Sequence, residues 1–268
     1  MTLAEVLKGA TDYLASKGVP SPRLDAEHML ARALGLSRIQ LYTEHDRPLT
    51  DDERSAAREL VRRRGEREPL AYVLGDWDFR RLTLKTDKRA LVPRPETEIV
   101  VDRCLALLDG TPSPRIVDVG TGSGAIALAI AQEVPGAEVH ATDVSADALG
   151  LARENAEANG LTVQFHETDL LDGLEGPFDL VVSNPPYVGE AELDRLEPEV
   201  RDWEPRGALV DAGQTERLAE LAKTTLVLEI HEDRAAEVQR VLTTAGYRDI
   251  TVTCDLAGKE RVVEGRWS

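Results

Sequence analysis

Apolar residues in the first seventy positions recur at helical spacing. Leu3, Val6, Leu7, Ala10 and Leu14 fall on one face. Thr2-Leu-Ala-Glu5 has the capping-box form, in which side chain and backbone satisfy each other's donors, and Gly18 closes this helix. Ser21 and Pro22 predict the start of a second helix that buries Met29, Leu30, Ala33 and Leu34 and ends at Gly35. Ser37 opens a short third, and Thr50-Asp-Asp-Glu53 a fourth that runs to about Gly65. Arg62, Arg63 and Arg64 stand at the end of this last helix, opposite acids at its start. Complementarity to the helix dipole accounts for that arrangement; so does a docking patch for an acidic or RNA-bearing partner.

From Ala71 to Val92 the helical period disappears, and LTLKT with its flanks predicts a β-hairpin linker. PRPETE (93–98) then leads into the helix EIVVDRCLALL. Beyond it, short β-branched runs alternate with helical stretches, the pattern of a doubly wound parallel sheet. The predicted strands are 115–120, 138–143, 163–168, 178–184, 225–230, 248–255 and 261–267, the last two forming an antiparallel pair at one edge. The expected organisation is an α/β protein with a small helical domain (1–70), a hairpin linker (71–92) and a seven-stranded domain (93–268).

Composition narrows the function more than the fold. With 42% hydrophobic and 30% charged residues the chain is globular, and its 268 residues suffice for two modest domains. No apolar stretch follows a basic start or approaches the roughly 20 residues of a membrane span, so a cytoplasmic protein without membrane contact is expected. Cys104 and Cys254 lie far apart and the five histidines are scattered, which predicts neither disulfides nor a metal. A formal net charge of -17 argues against direct nucleic-acid binding, because Lys and Arg neutralising phosphates supply most of that affinity.

The candidate chemistry sits at strand ends. Gly120-Thr121-Gly122-Ser123-Gly124 follows the first long strand and precedes an apolar helix, a turn in which glycines let a ligand approach the backbone. Asp143 stands about twenty residues on, the spacing at which a carboxylate accepts hydrogen bonds from a ribose. Gly122 to Ala127 also fits the GxGxxA form of a dinucleotide fingerprint, so these residues leave a nicotinamide cofactor open. Asp169 and Leu170 follow the third strand, placed either to meet an adenine or to cap a turn and cover the core. SNPPY (183–187) then favours one chemistry. Asn184 through its side-chain oxygen and Pro185 through its carbonyl can accept the two hydrogens of an NH2 group, Pro186 stiffens the loop, and Tyr187 offers a flat ring to a planar substrate. Such a site orients a nitrogen and offers no hydride acceptor.

These motifs, in this order, resemble those of class I (Rossmann-like) methyltransferases. PRLDAEHML (22–30), EPLAYVLGDWDF (68–79), LVPRPETE (91–98), IVDVGTGSGAIALAIA (116–131) and VSNPPYV (182–188) resemble the bacterial peptide chain release factor glutamine methyltransferases, the HemK/PrmC family, over nearly the whole chain. The resemblance implies methylation of the glutamine amide nitrogen in the Gly-Gly-Gln motif of release factors, with S-adenosylmethionine as donor, S-adenosylhomocysteine as product and no metal. By position it implies that Gly120, Thr121, Gly122, Ser123 and Gly124 line the cofactor, Asp143 holds its ribose, and Asp169 and Leu170 border its adenine. It implies that Asn184, also beside the cofactor, acts with Pro185, Pro186 and Tyr187 on the glutamine, and that the front helices help dock the release factor. One stretch departs from the family. Between ALVD (208–211) and LVLEI (226–230) the usual helix and Gly-Gly turn are shortened to Lys223-Thr-Thr225, which predicts poorer packing there, and His231 stands where glycine is common.

Three other activities would use a similar loop or fold: adenine amino-methylation of nucleic acid with a flipped base, glutamine methylation of a ribosomal protein, and cofactor binding without catalysis in a scaffold.

Overall fold

A computed structural model describes residues 1–268. The chain forms two compact units, Met1–Asp76 with Glu197–Trp203, and Trp77–Leu196 with Glu204–Ser268.

The first unit is helical: α1 (Leu3–Ser16), α2 (Pro22–Leu34), α3 (Arg38–Thr43), α4 (Asp51–Gly65) and α5 (Leu70–Leu74). Capping boxes at Thr2, Ser37 and Thr50 start α1, α3 and α4. Ser21 does not cap α2: its φ of -122° and ψ of 59° are not the extended geometry that turns a side chain back onto the first amides. Residues 71–74, expected within the hairpin linker, belong to the helix α5. Pro69 precedes it and Gly75 stops it in the left-handed conformation, and five residues are too few to display a helical period.

Leu3, Leu14, Met29, Leu30 and Leu41 form the core of this unit. It also buries two acids that the apolar pattern of α2 does not announce. Asp25 accepts from Arg64 Nε at 2.7 Å, and Arg64 reaches Glu199 at 2.8 Å. Glu27 is held by Arg23, Arg38 and the Tyr42 hydroxyl. The three arginines ending α4 are therefore not a free docking patch: Arg64 is buried, Arg63 binds Glu68 and two carbonyls, and Arg62 lies between Glu59 and Glu66.

The second unit begins at a two-stranded hairpin, β1 (Asp76–Phe79) and β2 (Leu82–Lys85), whose Phe79, Leu82 and Leu84 enter its core. There follow α6 (Thr97–Leu108), β3 (Arg115–Val119), α7 (Ala125–Glu133), β4 (Glu138–Asp143), α8 (Ala146–Asn159), β5 (Gln164–Glu167) and β6 (Leu180–Ser183). The short α9 (Pro198–Arg201) belongs to the helical unit; α10 (Gln214–Ala222), β7 (Thr225–Glu229), α11 (Ala235–Thr244), β8 (Tyr247–Cys254) and β9 (Glu260–Trp267) complete the second. The seven strands run in the order β5-β4-β3-β6-β7-β9-β8, with β9 antiparallel to β7 and β8 and the others parallel. Side chains alternate between two cores. Ile116, Val182 and Val227 face α6 and α7, while Val117, Val181, Leu226 and Leu228 face α10 and α11. Strand order reverses between β3 and β6, which opens a crevice at their carboxyl ends.

The segment around Lys223, expected to pack poorly, is well packed. Leu218 and Ala219 of α10 are fully buried, and Lys223 ends the helix with φ at +42°. A side chain in that conformation is strained by roughly 1–2 kcal/mol where glycine is not. Lys223→Gly is expected to raise the thermal midpoint by about 2 °C, for roughly 1 kcal/mol gained, without changing activity; calorimetry checks this. No helix is long and apolar enough to cross a membrane.

Candidate functional site

The crevice holds a cleft of about 440 Å³, within the range of small-molecule sites. Its floor is the turn after β3. The amides of Gly120 and Thr121 both donate to the Thr142 carbonyl at 2.9 Å, which locks the turn to β4. Gly120 and Gly122 have φ of +71° and +56°, and a Cβ on Gly120 would meet nothing within 4 Å, so its backbone faces open space. Gly124 has a different task. It caps α7, where a Cβ would stand 3.1 Å from Leu128 and 3.2 Å from Ala152, so the glycine permits helix packing and does not line the cleft.

Asp143 ends β4. One oxygen accepts from the Gly122 amide and the other from the Ser145 amide, both at 2.9 Å, leaving lone pairs on each for a further donor. Beside it the Val144 side chain is largely exposed within the cleft. Asp169 and Leu170 line the cleft next to β4, where the Thr168 amide donates to the Asp143 carbonyl at 3.0 Å. Leu170 lines the cleft while packing on the core, and its carbonyl accepts from the Thr142 hydroxyl at 2.9 Å. Asp169 pairs with Arg217 of α10 at 2.6 Å, a half-exposed bridge on the cleft's rim.

Asn184, Pro185 and Pro186 line the cleft at the carboxyl end of β6. The Ser183 hydroxyl donates to the Val119 carbonyl at 2.7 Å, which fixes the loop's root beside the glycine turn. Asn184 Nδ2 points to Thr97 Oγ1 at 3.5 Å, and no hydrogen bond from the chain occupies its Oδ1 or the Pro185 carbonyl. Two acceptors are thus left for an external NH2 group. Tyr187 is placed otherwise than expected. It lies outside the cleft with its ring centroid 6.0 Å from that of His231, and Arg234 binds its carbonyl at 3.1 Å, because the rigid prolines carry the chain past the cleft wall. Burial pushes its phenol up to about 12.

Buried polar residues that the motifs did not announce hold these pieces in place. Asn155 of α8 is fully buried, accepts from the Lys85 amide at 2.7 Å and donates to the Ser123 carbonyl at 2.9 Å, tying hairpin and glycine turn to α8. Glu204 binds Arg94 through both oxygens, at 2.7 and 2.8 Å, and so sets Arg94 on the cleft wall. Asp118 accepts from the Thr121 hydroxyl at 2.6 Å and the Ala127 amide at 3.1 Å, fixing the turn from below. A visible signal existed for Asp118 and for Glu229: each is an acid that follows a run of apolar residues within a strand.

Burial raises both acids to about 7. For Asp118 the sign follows directly. Its folded-state pKa lies above the unfolded value, so its contribution to stability is complete below about pH 4 and is lost as pH rises through about 7. Asp118→Asn is therefore expected to gain stability relative to the parent between pH 5 and pH 8, measured as the difference in denaturation midpoints.

Comparison with known proteins agrees with this layout. A model of the PrmC N-terminal domain matches residues 5–75, and a methyltransferase small domain model matches residues 101–197. The chain is 42% identical to the release factor glutamine methyltransferase of Rhodopirellula baltica over 98% of this chain and 95% of that protein. It is 43% identical to that of Chlorobaculum tepidum over 95% and 93%. Among solved structures, a methyltransferase from Pyrococcus furiosus shares the fold, with a TM-score of 0.52 and 18% identity over 69% of this chain and 88% of that one. With near-complete coverage at such identity, the chain belongs to the release factor glutamine methyltransferase family.

Proposed function

We propose that the protein transfers a methyl group from S-adenosylmethionine to the side-chain amide nitrogen of the glutamine in the Gly-Gly-Gln motif of peptide chain release factors. The observation that carries this reading is the pair of unoccupied acceptors, Asn184 Oδ1 and the Pro185 carbonyl, on the β6 side of a cleft whose floor is the glycine turn and whose β4 side carries an anchored carboxylate.

The residues present fit the cofactor. Gly120, Thr121, Gly122 and Ser123 offer backbone to it, Asp143 retains lone pairs for ribose hydroxyls, and Asp169 and Leu170 supply an acceptor and an apolar wall for the adenine. S-adenosylmethionine brings a methyl group already activated on a sulfonium. What the chain must supply is orientation, because an amide nitrogen is a poor nucleophile whose lone pair is shared with its carbonyl. Asn184 and Pro185 each take one hydrogen of the NH2 group, which directs the lone pair along the cleft and draws electron density onto the nitrogen; one of those hydrogens leaves as a proton to water once the nitrogen has gained the methyl. Holding a reactant in this way removes up to roughly 7–11 kcal/mol of barrier in favourable cases. Pro186 keeps the loop stiff, and Tyr187 supports it from behind through its contacts with His231 and Arg234.

The helical unit, expected as residues 1–70, is assigned to docking of the release factor, and the second unit, which takes the hairpin into its core, to catalysis. The net charge of -17 favours a protein substrate over nucleic acid. The test is a competition: release factor, ribosomal protein and DNA incubated together with enzyme and S-adenosylmethionine, each analysed by mass spectrometry. One methyl on the Gly-Gly-Gln glutamine is expected; methylation confined to either competitor would overturn the reading.

A further inference from the structure

We propose that Glu229 is a positioning residue that holds the Asn184 amide with its NH2 side turned inward, so that Oδ1 faces the substrate; this rests on the reading that Asn184 receives the glutamine amide. The placement follows from strand register. Ser183 of β6 pairs with Leu228 of β7 in parallel, so Asn184 and Glu229 are the next residues on neighbouring strands. With a period of two they share the face of Val182 and Val227, which pack against Val100 and Val101 of α6. Thr97, the first residue of α6, stands on that face too and meets Asn184 Nδ2 at 3.5 Å.

Glu229 is 3% exposed, and its Oε2 has no hydrogen-bond partner. A buried carboxylate oxygen of this kind calls for a donor, and the Asn184 amide is beside it. A primary amide can sit in either of two flipped states of similar shape. In one, NH2 faces the carboxylate and Oδ1 faces the cleft. In the other, oxygen would face carboxylate oxygen inside, and NH2 would confront the NH2 of the substrate. While it is ionised, the Glu229 carboxylate excludes the second state. Thr97 and Asn184 both interact with the Glu229 carboxyl in the sense that favours its ionised form, while burial and Glu96 oppose it. Glu229 does not line the cleft; it borders a small pocket behind Pro185. It therefore acts through Asn184. Sheet packing does not call for an acid here, since the three residues before it in β7, Leu226, Val227 and Leu228, are buried and apolar.

The test is a double-mutant cycle on the full chain, read as single-turnover methyl transfer to a release factor, with cofactor affinity from calorimetry. Glu229→Leu is expected to slow transfer about 30-fold, the scale of one charge-assisted hydrogen bond, with cofactor affinity unchanged. Glu229→Gln, which keeps a carbonyl acceptor, should recover most of that loss. In the Asn184→Ala background Glu229→Leu should cause no further slowing, because the group it positions is gone. An unchanged rate for Glu229→Leu, or equal slowing in both backgrounds, would overturn the proposal while leaving Asn184 in its role. A full rate for Asn184→Ala alone would overturn the assignment of Asn184 and this proposal with it.

Discussion

Asn184→Ala is expected to slow methyl transfer by roughly a thousandfold, about 4 kcal/mol, while S-adenosylmethionine binds with nearly its normal affinity. The split follows from what the residue touches. Its Oδ1 is one of two acceptors left open on the β6 side of the cleft, whereas Asp143 stands on the β4 side, across β3. Removing one acceptor lets the substrate amide rotate and leaves an N–H unpaired in a site from which water is displaced. Asn184→Asp is the informative companion, since it keeps an acceptor but places a carboxylate beside Glu229; it should fall between parent and alanine. Equal losses of turnover and cofactor affinity in the alanine variant would contradict the assigned role.

Asp143→Ala should weaken cofactor binding by about 10- to 100-fold, or roughly 1.4–2.8 kcal/mol, with a smaller effect on turnover at saturating cofactor. Two contributions add. The carboxylate no longer accepts from ribose hydroxyls, and the Gly122 and Ser145 amides it now anchors at 2.9 Å lose their partner, so the turn loosens. Asp143→Asn separates them. It retains an oxygen for one of those amides but loses the charge, and should bind more weakly than the parent and more tightly than alanine. Titration calorimetry measures all three, and an unchanged dissociation constant for the alanine variant would count against a ribose contact.

Much of this architecture is legible in the chain because parallel strands announce themselves as β-branched runs, and the loops at their carboxyl ends converge in space. GTGSG, Asp143, Asp169 and SNPPY are separated by up to about sixty residues, yet one crevice gathers most of them. Capping boxes at Thr2, Ser37 and Thr50 are equally visible, since they are local. What stays hidden depends on distant partners. The pairing of Arg64 with Glu199, which draws Glu197–Trp203 into the helical unit, spans well over a hundred residues and has no local signature. The buried acids Asp25 and Glu204 are hidden for the same reason. Gly124 looks like its neighbours in the motif but serves packing, because its φ of +86° at the head of α7 matters more than access to a ligand. Tyr187 is misplaced by motif reasoning because the motif shows a ring next to the prolines but not the direction in which they carry it. The nicotinamide alternative, open from the GxGxxA spacing, is closed by family membership.

The account depends on a rigid pair of oxygen acceptors taking hold of a glutamine side chain, and a crystal structure with S-adenosylhomocysteine and a Gly-Gly-Gln peptide examines that most directly. It should show the glutamine nitrogen within hydrogen-bonding distance of both Asn184 Oδ1 and the Pro185 carbonyl, facing the sulfur. A peptide amide seated elsewhere, or an Asn184 side chain rotated away from it, would contradict the account.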